Sequence, residues 1–319
     1  YASFDPPVTC NPWNVERTPG GSSSGSAAAV ATEMCLGAIG SQTGGSITRP
    51  ASYCGIAGCK PTHGRVSLSG ILPLAANLDH PGPMARCVDD LAILYDVIAG
   101  YDAADPYSVD RPVDAAGSLT ASDAPPRLGR LESLFAKMAD DDVQTSFSAA
   151  VETWQAAGAA VSTAALPAEF DDALEPHYLI MAAEAAAVHE GRLAQLPEEY
   201  APCITKLLTD GLAASTTDYI RARTRQVELK RTILDSFAEF DALICPATTN
   251  PAPDRLTTGN PAFNSPWSFT GLPTVSFPTG LSAEGLPLGV QIVGRPFDEA
   301  ALFRVARWCE RAITASATT

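Results

Sequence analysis

The spacing of apolar side chains predicts several helices along the chain. Val88, Leu91, Tyr95 and Ile98 recur at helical spacing, and Gly100 ends that helix. The same periodicity, or a strongly helical composition, predicts further helices over residues 26–36, 143–158, 171–196, 216–240 and 298–312. We therefore expect helices along much of the chain, most of them with one apolar face.

Short apolar runs bounded by turn residues predict strands between these helices. The predicted strands cover residues 127–131, 241–246, 274–278 and 288–293. Residues 38–83 mix glycines and prolines with short apolar pieces, which is typical of tight turns and short strands around a site. Residues 1–21 are polar and broken by prolines, and they predict an extended loop. The alternation of strands and helices predicts an α/β fold.

The length of the chain fits one large domain. With 319 residues it lies at the upper edge of what one hydrophobic core serves, and we expect a single domain over residues 1–319. Residues 101–126 are rich in aspartate and proline, and we expect them to form a surface excursion. A linker, or a loop inside the same domain, stays open for this segment.

The composition indicates a globular protein that does not bind nucleic acid directly. Hydrophobic residues make up 46% of the chain and charged residues 18%, which is ample apolar material for a buried sheet. The formal net charge of −15 repels phosphate backbones and anionic membranes, so we expect neither as a partner. Without a membrane-spanning apolar run or a signal-peptide pattern at Tyr1, we expect a cytoplasmic location.

The cysteines give no sign of a metal site. All eight are scattered, mostly inside apolar runs, with no CxxC pair and no Cys/His cluster at zinc spacing. We expect buried thiols in a reducing compartment, and neither a metal nor another cofactor.

Two short segments combine serines with glycines. Residues 20–26 read Gly-Gly-Ser-Ser-Ser-Gly-Ser at the predicted start of a helix, and residues 40–46 read Gly-Ser-Gln-Thr-Gly-Gly-Ser. Glycine lets backbone N–H groups approach a ligand, and serine supplies a nucleophile or a proton relay. Together the two segments favour a site that stabilises an anion beside an attacking hydroxyl.

Three other interpretations of these segments fit less well. A phosphate loop needs a lysine where Ser26 stands, and no strand precedes it. A nucleophile elbow with the pattern G-x-S-x-G around Ser23 also lacks its preceding strand. A flexible Gly/Ser linker fits poorly, because each segment lies between well-formed apolar elements.

Both segments resemble the amidase signature, as do several other parts of the chain. The stretches that carry the resemblance are residues 17–31, 40–51, 55–66, 78–86, 269–278 and 285–294. The chain is thereby similar to amidases and to the A subunits of glutamyl-tRNA amidotransferases. The resemblance implies an amidase-signature fold, in which helices cover both sides of a central, twisted, mixed β-sheet.

The resemblance implies a Ser-cisSer-Lys relay. Ser46 is then the nucleophile, and Ser22 is the serine that follows a cis peptide bond and carries the proton to a lysine. The backbone N–H groups of Thr43, Gly44 and Gly45, with that of Ser46, would form the oxyanion hole. An amide carbon is a poor electrophile, so attack needs both an activated oxygen and donors for the developing charge.

Three further residues are expected to support this site. Ser23 adjoins Ser22, while Asp79 and Arg86 lie in a matched stretch and should form an ion pair or a turn network near the serines. The chain departs from the family pattern at Ser24, Gln42 and Thr48, where glycine, aspartate and arginine are common.

The lysine of this relay is not expected among the lysines of the chain. Its family position lies well before the first serine motif, and only twenty-one residues precede Ser22. We expect it in an N-terminal part that these 319 residues do not include; a homologue that lacks it is the alternative. Lys60 matches a different motif and is expected to be structural, and Lys137, Lys206 and Lys230 lie on predicted helices or their edges.

These observations predict an amidase that hydrolyses a small carboxamide through an acyl-enzyme on Ser46. The alternatives are a glutaminase of the amidotransferase type that works with partner subunits, and a non-catalytic relative. Residues 264–267 offer no acidic side chain that could bind the α-amino group of glutamine, which favours a free-standing amidase. For the oligomeric state, a homodimer stays open. An acyl pocket could use His177, Met181, Phe263, Trp267 and Phe269, with core packing as the equal alternative.

Overall fold

The computed structural model describes residues 9–119 and 124–316. The strands are β1 (Gly37–Gln42), β2 (Ala57–Lys60), β3 (His80–Ala85), β4 (Arg127–Arg130), β5 (Ala160–Thr163), β6 (Ala242–Pro246), β7 (Thr274–Leu281) and β8 (Pro287–Val293). The α-helices are α1 (Ser24–Ala31), α2 (Thr48–Cys54), α3 (Val88–Ile98), α4 (Ala115–Ser118), α5 (Ser133–Met138), α6 (Asp141–Ala156), α7 (Leu174–Gln195), α8 (Pro202–Ala213), α9 (Thr216–Thr232), α10 (Ser265–Thr270) and α11 (Glu299–Ser316).

One mixed sheet contains the eight strands of the described residues. Its order is β1-β3-β2-β7-β8-β6-β4-β5. Neighbouring strands are antiparallel from β1 as far as β6, and β4 is parallel to both β6 and β5. The predicted α/β fold with a mixed sheet is confirmed.

Helices cover both faces of the sheet, because the central strands carry apolar side chains on both sides. In β6, Ile244 packs with residues of α3, α6 and α11, whereas Leu243 and Cys245 pack with residues of α5, α7, α9 and α10. A strand buried on both faces is uniformly apolar instead of alternating, which explains the sequence of residues 242–246.

Capping side chains fix two helix starts near their predicted positions. The Asp140 carboxylate accepts a hydrogen bond from the Val143 N–H at 2.9 Å and begins α6. The Ser215 hydroxyl accepts one from the Asp218 N–H at 3.0 Å and begins α9. Each cap stabilises its helix by about 1 kcal/mol.

The helices differ from the sequence prediction at several places, and two of these differences have a clear local cause. The helix predicted over residues 26–36 ends at Ala31, because the chain turns through Glu33, whose φ is 61°, and then enters β1. Helix α8 has no counterpart among the predicted helices, because Gly211 weakens its sequence signal. This glycine is required by packing: a Cβ there would lie 1.9 Å from the carbonyl oxygen of Ala182 in α7.

The segment expected to be a surface excursion is tied to the body of the protein. Within residues 101–119, only Asp105, Ala115 and Leu119 are buried. The Asp105 carboxylate accepts a hydrogen bond from the Leu68 N–H at 2.9 Å, and the Arg65 guanidinium donates to the Arg111 carbonyl at 2.9 Å. Residues 120–123 of this segment, and residues 1–8 of the predicted N-terminal loop, lie outside the described residues.

Candidate active site

Both serine segments meet at one cavity of about 320 Å³. Its walls contain Ser22 from the first segment and the loop 43–46 from the second, which the chain brings together from β1, α1 and α2. The other lining residues are Arg49, Leu74, Leu174, His177, Tyr178, Met181, Thr258, Gly259, Asn260, Pro261, Ala262 and Ser265. The predicted nucleophile, Ser46, and its predicted relay partner, Ser22, thus line the same cavity.

Ser22 lies on an exposed turn that leads into α1. The peptide bond between Gly21 and Ser22 is cis, in agreement with what the family resemblance implies. Ser23 is directed elsewhere, because its hydroxyl contacts the backbone N–H and carbonyl of Ser41 at 3.3 and 3.4 Å. Ser23 therefore ties α1 to β1 and does not line the cavity.

The loop from Thr43 to Ser46 presents free N–H groups. Within residues 9–119 and 124–316, no acceptor is bonded to the N–H groups of Gly44, Gly45 and Ser46. Gly45 allows this loop to lie against α10, since a Cβ at that position would lie 2.6 Å from Oδ1 of Asn264. The loop can therefore offer several backbone donors to one oxyanion.

Gln42 holds the far end of this loop. Its Oε1 accepts hydrogen bonds from the N–H groups of Ile47 and Thr48 at 2.9 and 3.0 Å, which satisfies donors at the start of α2. The amide of Gln42 is neutral, whereas the aspartate common in the family is charged. The departure noted in the sequence thus occurs at a residue that caps a helix.

Asp79 supports the loop from the other side. Its carboxylate accepts hydrogen bonds from the Thr43 hydroxyl and from the N–H groups of Leu74 and Ala75. Burial raises the pKa of Asp79, and the bond from Thr43 acts in the opposite direction. Asp79 fixes the Thr43 side chain and the turn at Leu74, which is itself in the cavity wall.

The expected pairing of Asp79 with Arg86 is wrong. Arg86 forms an exposed ion pair with Glu33 at 2.7 Å. Asp79 precedes β3 and Arg86 follows it, so the extended strand separates them by about 20 Å. Arg86 therefore stabilises the turn after α1, remote from the serines.

The middle of the chain contributes His177, whose role the sequence did not reveal. Its Nε2 lies 2.8 Å from the Thr43 carbonyl oxygen, which can only accept, so Nε2 carries the proton. Burial lowers the pKa of His177 to about 4, which keeps the ring neutral near pH 7. His177 and Met181 line the cavity, which is one of the two alternatives left open for them.

Three aromatic residues considered for the acyl pocket belong to the core instead. Phe263, Trp267 and Phe269 are almost completely buried and do not line the cavity. The Trp267 ring stacks on Phe135 with centroids 6.2 Å apart and packs against Phe170 at 4.9 Å. Trp267 and Phe269 lie on α10 and Phe263 precedes it, and all three belong to one buried cluster with residues of α5 and α7, so core packing is the correct interpretation.

Sequence reasoning missed Arg49. Its guanidinium donates to the Gly21 carbonyl at 2.6 Å and to the Thr258 hydroxyl at 3.2 Å. It thereby joins the first serine segment to Thr258, which also lines the cavity. The available signal was its position beside Thr48, where the family commonly has an arginine.

None of the four lysines of the chain lines the cavity. Lys137 and Lys206 form exposed ion pairs with Asp171 and Asp210. Lys60 is fully buried and donates to the carbonyl oxygens of Leu272 and Pro61. Its contacts agree with the structural role expected for it.

Lys60 makes the stability of the protein depend on pH. Burial lowers its pKa to about 7, while a lysine in the unfolded chain stays near 10.4. Between these values the unfolded chain binds more protons, so the free energy of unfolding rises with pH. Replacing Lys60 with methionine should remove about 2–3 kcal/mol of this rise between pH 7 and pH 9.5, measured by urea unfolding.

The matched control for this experiment is Lys206→Met, at an exposed lysine. It should leave the pH dependence of unfolding unchanged. Parallel profiles for Lys60→Met and the unmodified protein would show that the buried amine does not titrate in this range.

The described residues contain no group of three or more His, Cys, Asp or Glu side chains that could hold a metal ion. All eight cysteines are free thiols, and four of them are buried. Among the described helices, none has the length and apolar character needed to cross a membrane.

Comparison with known proteins shows which family the chain matches. The family model described as Amidase matches residues 6–303. The chain is 38% identical to the A subunit of the glutamyl-tRNA(Gln) amidotransferase of Myxococcus xanthus, in a match that covers 94% of this chain and 68% of that protein.

Solved structures with similar folds include two amidases. The native peptide amidase from Stenotrophomonas maltophilia has a TM-score of 0.81 and 29% identity, covering 95% of this chain and 68% of that one. The crystal structure of an amidase has a TM-score of 0.85 and 29% identity, covering 97% of this chain and 71% of that one.

Proposed function

The chain belongs to the amidase family, and on this premise we propose that it hydrolyses the C–N bond of a small carboxamide through an acyl-enzyme on Ser46. One observation carries the proposal. Ser46 and Ser22 line one cavity beside the N–H groups of Gly44 and Gly45, which have no acceptor among the described residues. Acyl transfer requires a nucleophilic hydroxyl, a route for its proton and donors for the oxyanion, and these groups match that requirement apart from the base.

The reaction begins when Ser46 Oγ attacks the amide carbonyl carbon. Its proton passes to Ser22 Oγ and from there to the base, while the carbonyl oxygen becomes an oxyanion held by the N–H groups of the loop. The C–N bond then breaks as the leaving nitrogen takes a proton back through Ser22. Water attacks the ester on Ser46 by the same route and releases the acid.

The family resemblance implies a lysine as the base, and none of the lysines of the chain lines the cavity. This stays a prediction. The activity experiments below therefore use protein expressed from its complete open reading frame. Replacing each lysine of that protein in turn tests the prediction, because only the base should abolish activity without affecting folding.

The cavity suits a small acyl group without a charge. Its volume is at the lower end for ligand sites. Leu74, Leu174, Met181 and Ala262 supply apolar surface, and the described lining contains no carboxylate. The one guanidinium, that of Arg49, already donates to the Gly21 carbonyl. Short aliphatic or aromatic carboxamides should therefore be better substrates than amides with a free amino group.

Labelling with a fluorophosphonate tests the assignment of the nucleophile. This reagent phosphonylates activated serines, and peptide mass spectrometry locates the adduct. We expect a single adduct on Ser46, and prior incubation with a substrate amide should slow its formation. An adduct on Ser23 would support the nucleophile-elbow interpretation, and the absence of any adduct would support a non-catalytic relative.

A second candidate function is that of a glutaminase of the amidotransferase type, which works with partner subunits. The identity to the A subunit of an amidotransferase favours it. Release of ammonia from glutamine at a rate above that from neutral amides, together with co-purification of partner subunits, would support it. A homodimer and a cytoplasmic location also stay predictions.

A further inference from the structure

Three consecutive carbonyl groups of the loop 43–46 accept hydrogen bonds from other parts of the protein. The Thr43 carbonyl accepts a hydrogen bond from His177 Nε2 at 2.8 Å. The Gly44 carbonyl accepts one from the Ser268 hydroxyl at 3.0 Å. The Gly45 carbonyl accepts one from the N–H of Arg49 at 2.9 Å. Residues of α2, α7 and α10 thus hold the loop. Helix α2 directly follows the loop, whereas α7 and α10 are far from it in sequence.

These hydrogen bonds to the carbonyl groups also set the direction of the N–H groups in the loop. A trans peptide group is planar, and its C=O and N–H point in opposite directions. Holding the carbonyl of Thr43 therefore sets the direction of the Gly44 N–H, and holding that of Gly44 sets the direction of the Gly45 N–H. These are N–H groups without an acceptor among the described residues.

The two side-chain anchors are themselves well fixed. His177 is buried, and a Cβ on Gly44 would lie 3.7 Å from its Cε1, so the ring packs against the loop at the cavity wall. The Ser268 hydroxyl accepts a hydrogen bond from Gln42 Nε2 at 3.4 Å while it donates to the loop. Gln42 in turn holds the N–H groups at the start of α2.

We propose that His177 and Ser268 are positioning residues that aim the N–H groups of Gly44 and Gly45 at the oxyanion. The inference rests on the proposed function, because it concerns the transition state of acyl transfer at Ser46. Neither side chain needs to touch the reacting atoms. Each acts through a backbone carbonyl, and it lowers the free energy of the transition state because the aligned N–H groups bind the oxyanion as it forms.

The test compares a variant that removes the anchor with one that keeps it. In His177→Leu the donor is lost, whereas in His177→Gln the side-chain amide can reach the position of Nε2. Removing an oxyanion donor outright lowers kcat by about 10²–10³-fold, and removing only its anchor should lower it by about 10–10²-fold. We expect this loss in His177→Leu, with KM changed by no more than about twofold, since ground-state binding does not use the oxyanion contacts.

A second readout separates positioning from packing. A boronic acid matched to the acyl group forms a tetrahedral adduct with the nucleophile and so mimics the transition state. Its affinity should fall in His177→Leu by the same factor as kcat, whereas the affinity for the carboxylic acid product should not change. His177→Gln should restore most of both losses, and its pH profile between pH 5 and pH 9 should match the parent, because His177 is neutral there.

Ser268→Ala and Ser268→Thr repeat the comparison at the other anchor, and they carry the test if the His177 variants do not fold. The proposal is overturned if the variants without a donor keep the parental kcat. It is also overturned if Leu and Gln at position 177 lose activity equally, with a higher KM, since the ring would then only shape the acyl pocket. Absence of a Ser46 adduct in the unmodified protein is a different result, and it would reject the proposed function itself.

Discussion

Replacing Ser46 with alanine should lower kcat for amide hydrolysis by about 10⁴–10⁶-fold, because it removes the atom that forms the acyl-enzyme. What remains should be the small rate supplied by binding and by the N–H groups of the loop. The measurement is steady-state release of ammonia from a neutral carboxamide. KM, or the affinity for the product acid, should stay close to that of the parent, since the Ser46 hydroxyl fills little of the cavity.

The matched control is Ser23→Ala. Ser23 is in the other serine segment but contacts the Ser41 backbone, so its loss should leave kcat within a few-fold of the parent. Reversed results, with Ser23→Ala inactive and Ser46→Ala active, would contradict the assignment. A Ser46→Ala protein with the parental rate would also do so.

Replacing Ser22 with alanine should lower kcat by about 10²–10⁴-fold, the range typical of a lost proton-transfer group. Ser46 stays in place, but its proton no longer has a hydroxyl through which to reach the base. The loss should be seen in both acylation and deacylation, because each step uses the same relay. Pre-steady-state measurement of the two rates with a chromogenic anilide or ester checks this.

Ser26→Ala serves as the control for Ser22, since its hydroxyl bonds to the Ile39 carbonyl outside the cavity. It should keep the parental kcat. If Ser22→Ala slowed fluorophosphonate labelling no more than Ser26→Ala does, the relay through Ser22 would be excluded.

The sequence predicted the parts of the site that are contiguous in the chain. Glycine and serine are concentrated in residues 20–26 and 40–46, so the local composition alone indicates backbone donors beside hydroxyls. The strands β4, β6, β7 and β8 are predictable for a similar reason, because short apolar runs between turn residues, rich in β-branched residues in β7 and β8, are a local signal.

Contacts between distant parts of the chain could not be predicted in this way. His177 and Thr43 are 134 residues apart, and neither position has a local pattern that indicates the other. Asp79 and Arg86 are close in the sequence but far apart in the structure, because the extended strand β3 lies between them. For Trp267, the sequence could not decide between pocket and core, because that depends on which face of α10 is covered.

The distance in sequence between the loop and its anchor on α10 has a consequence for folding. Gly44 and Ser268 are 224 residues apart, so their contact closes a very long loop, and contacts of this kind form late. During synthesis both serine segments leave the ribosome long before residues 265–270. The nascent chain therefore carries its serines for most of its synthesis before Ser268 can bond to the loop, and we expect the proposed site to be complete only when α10 docks.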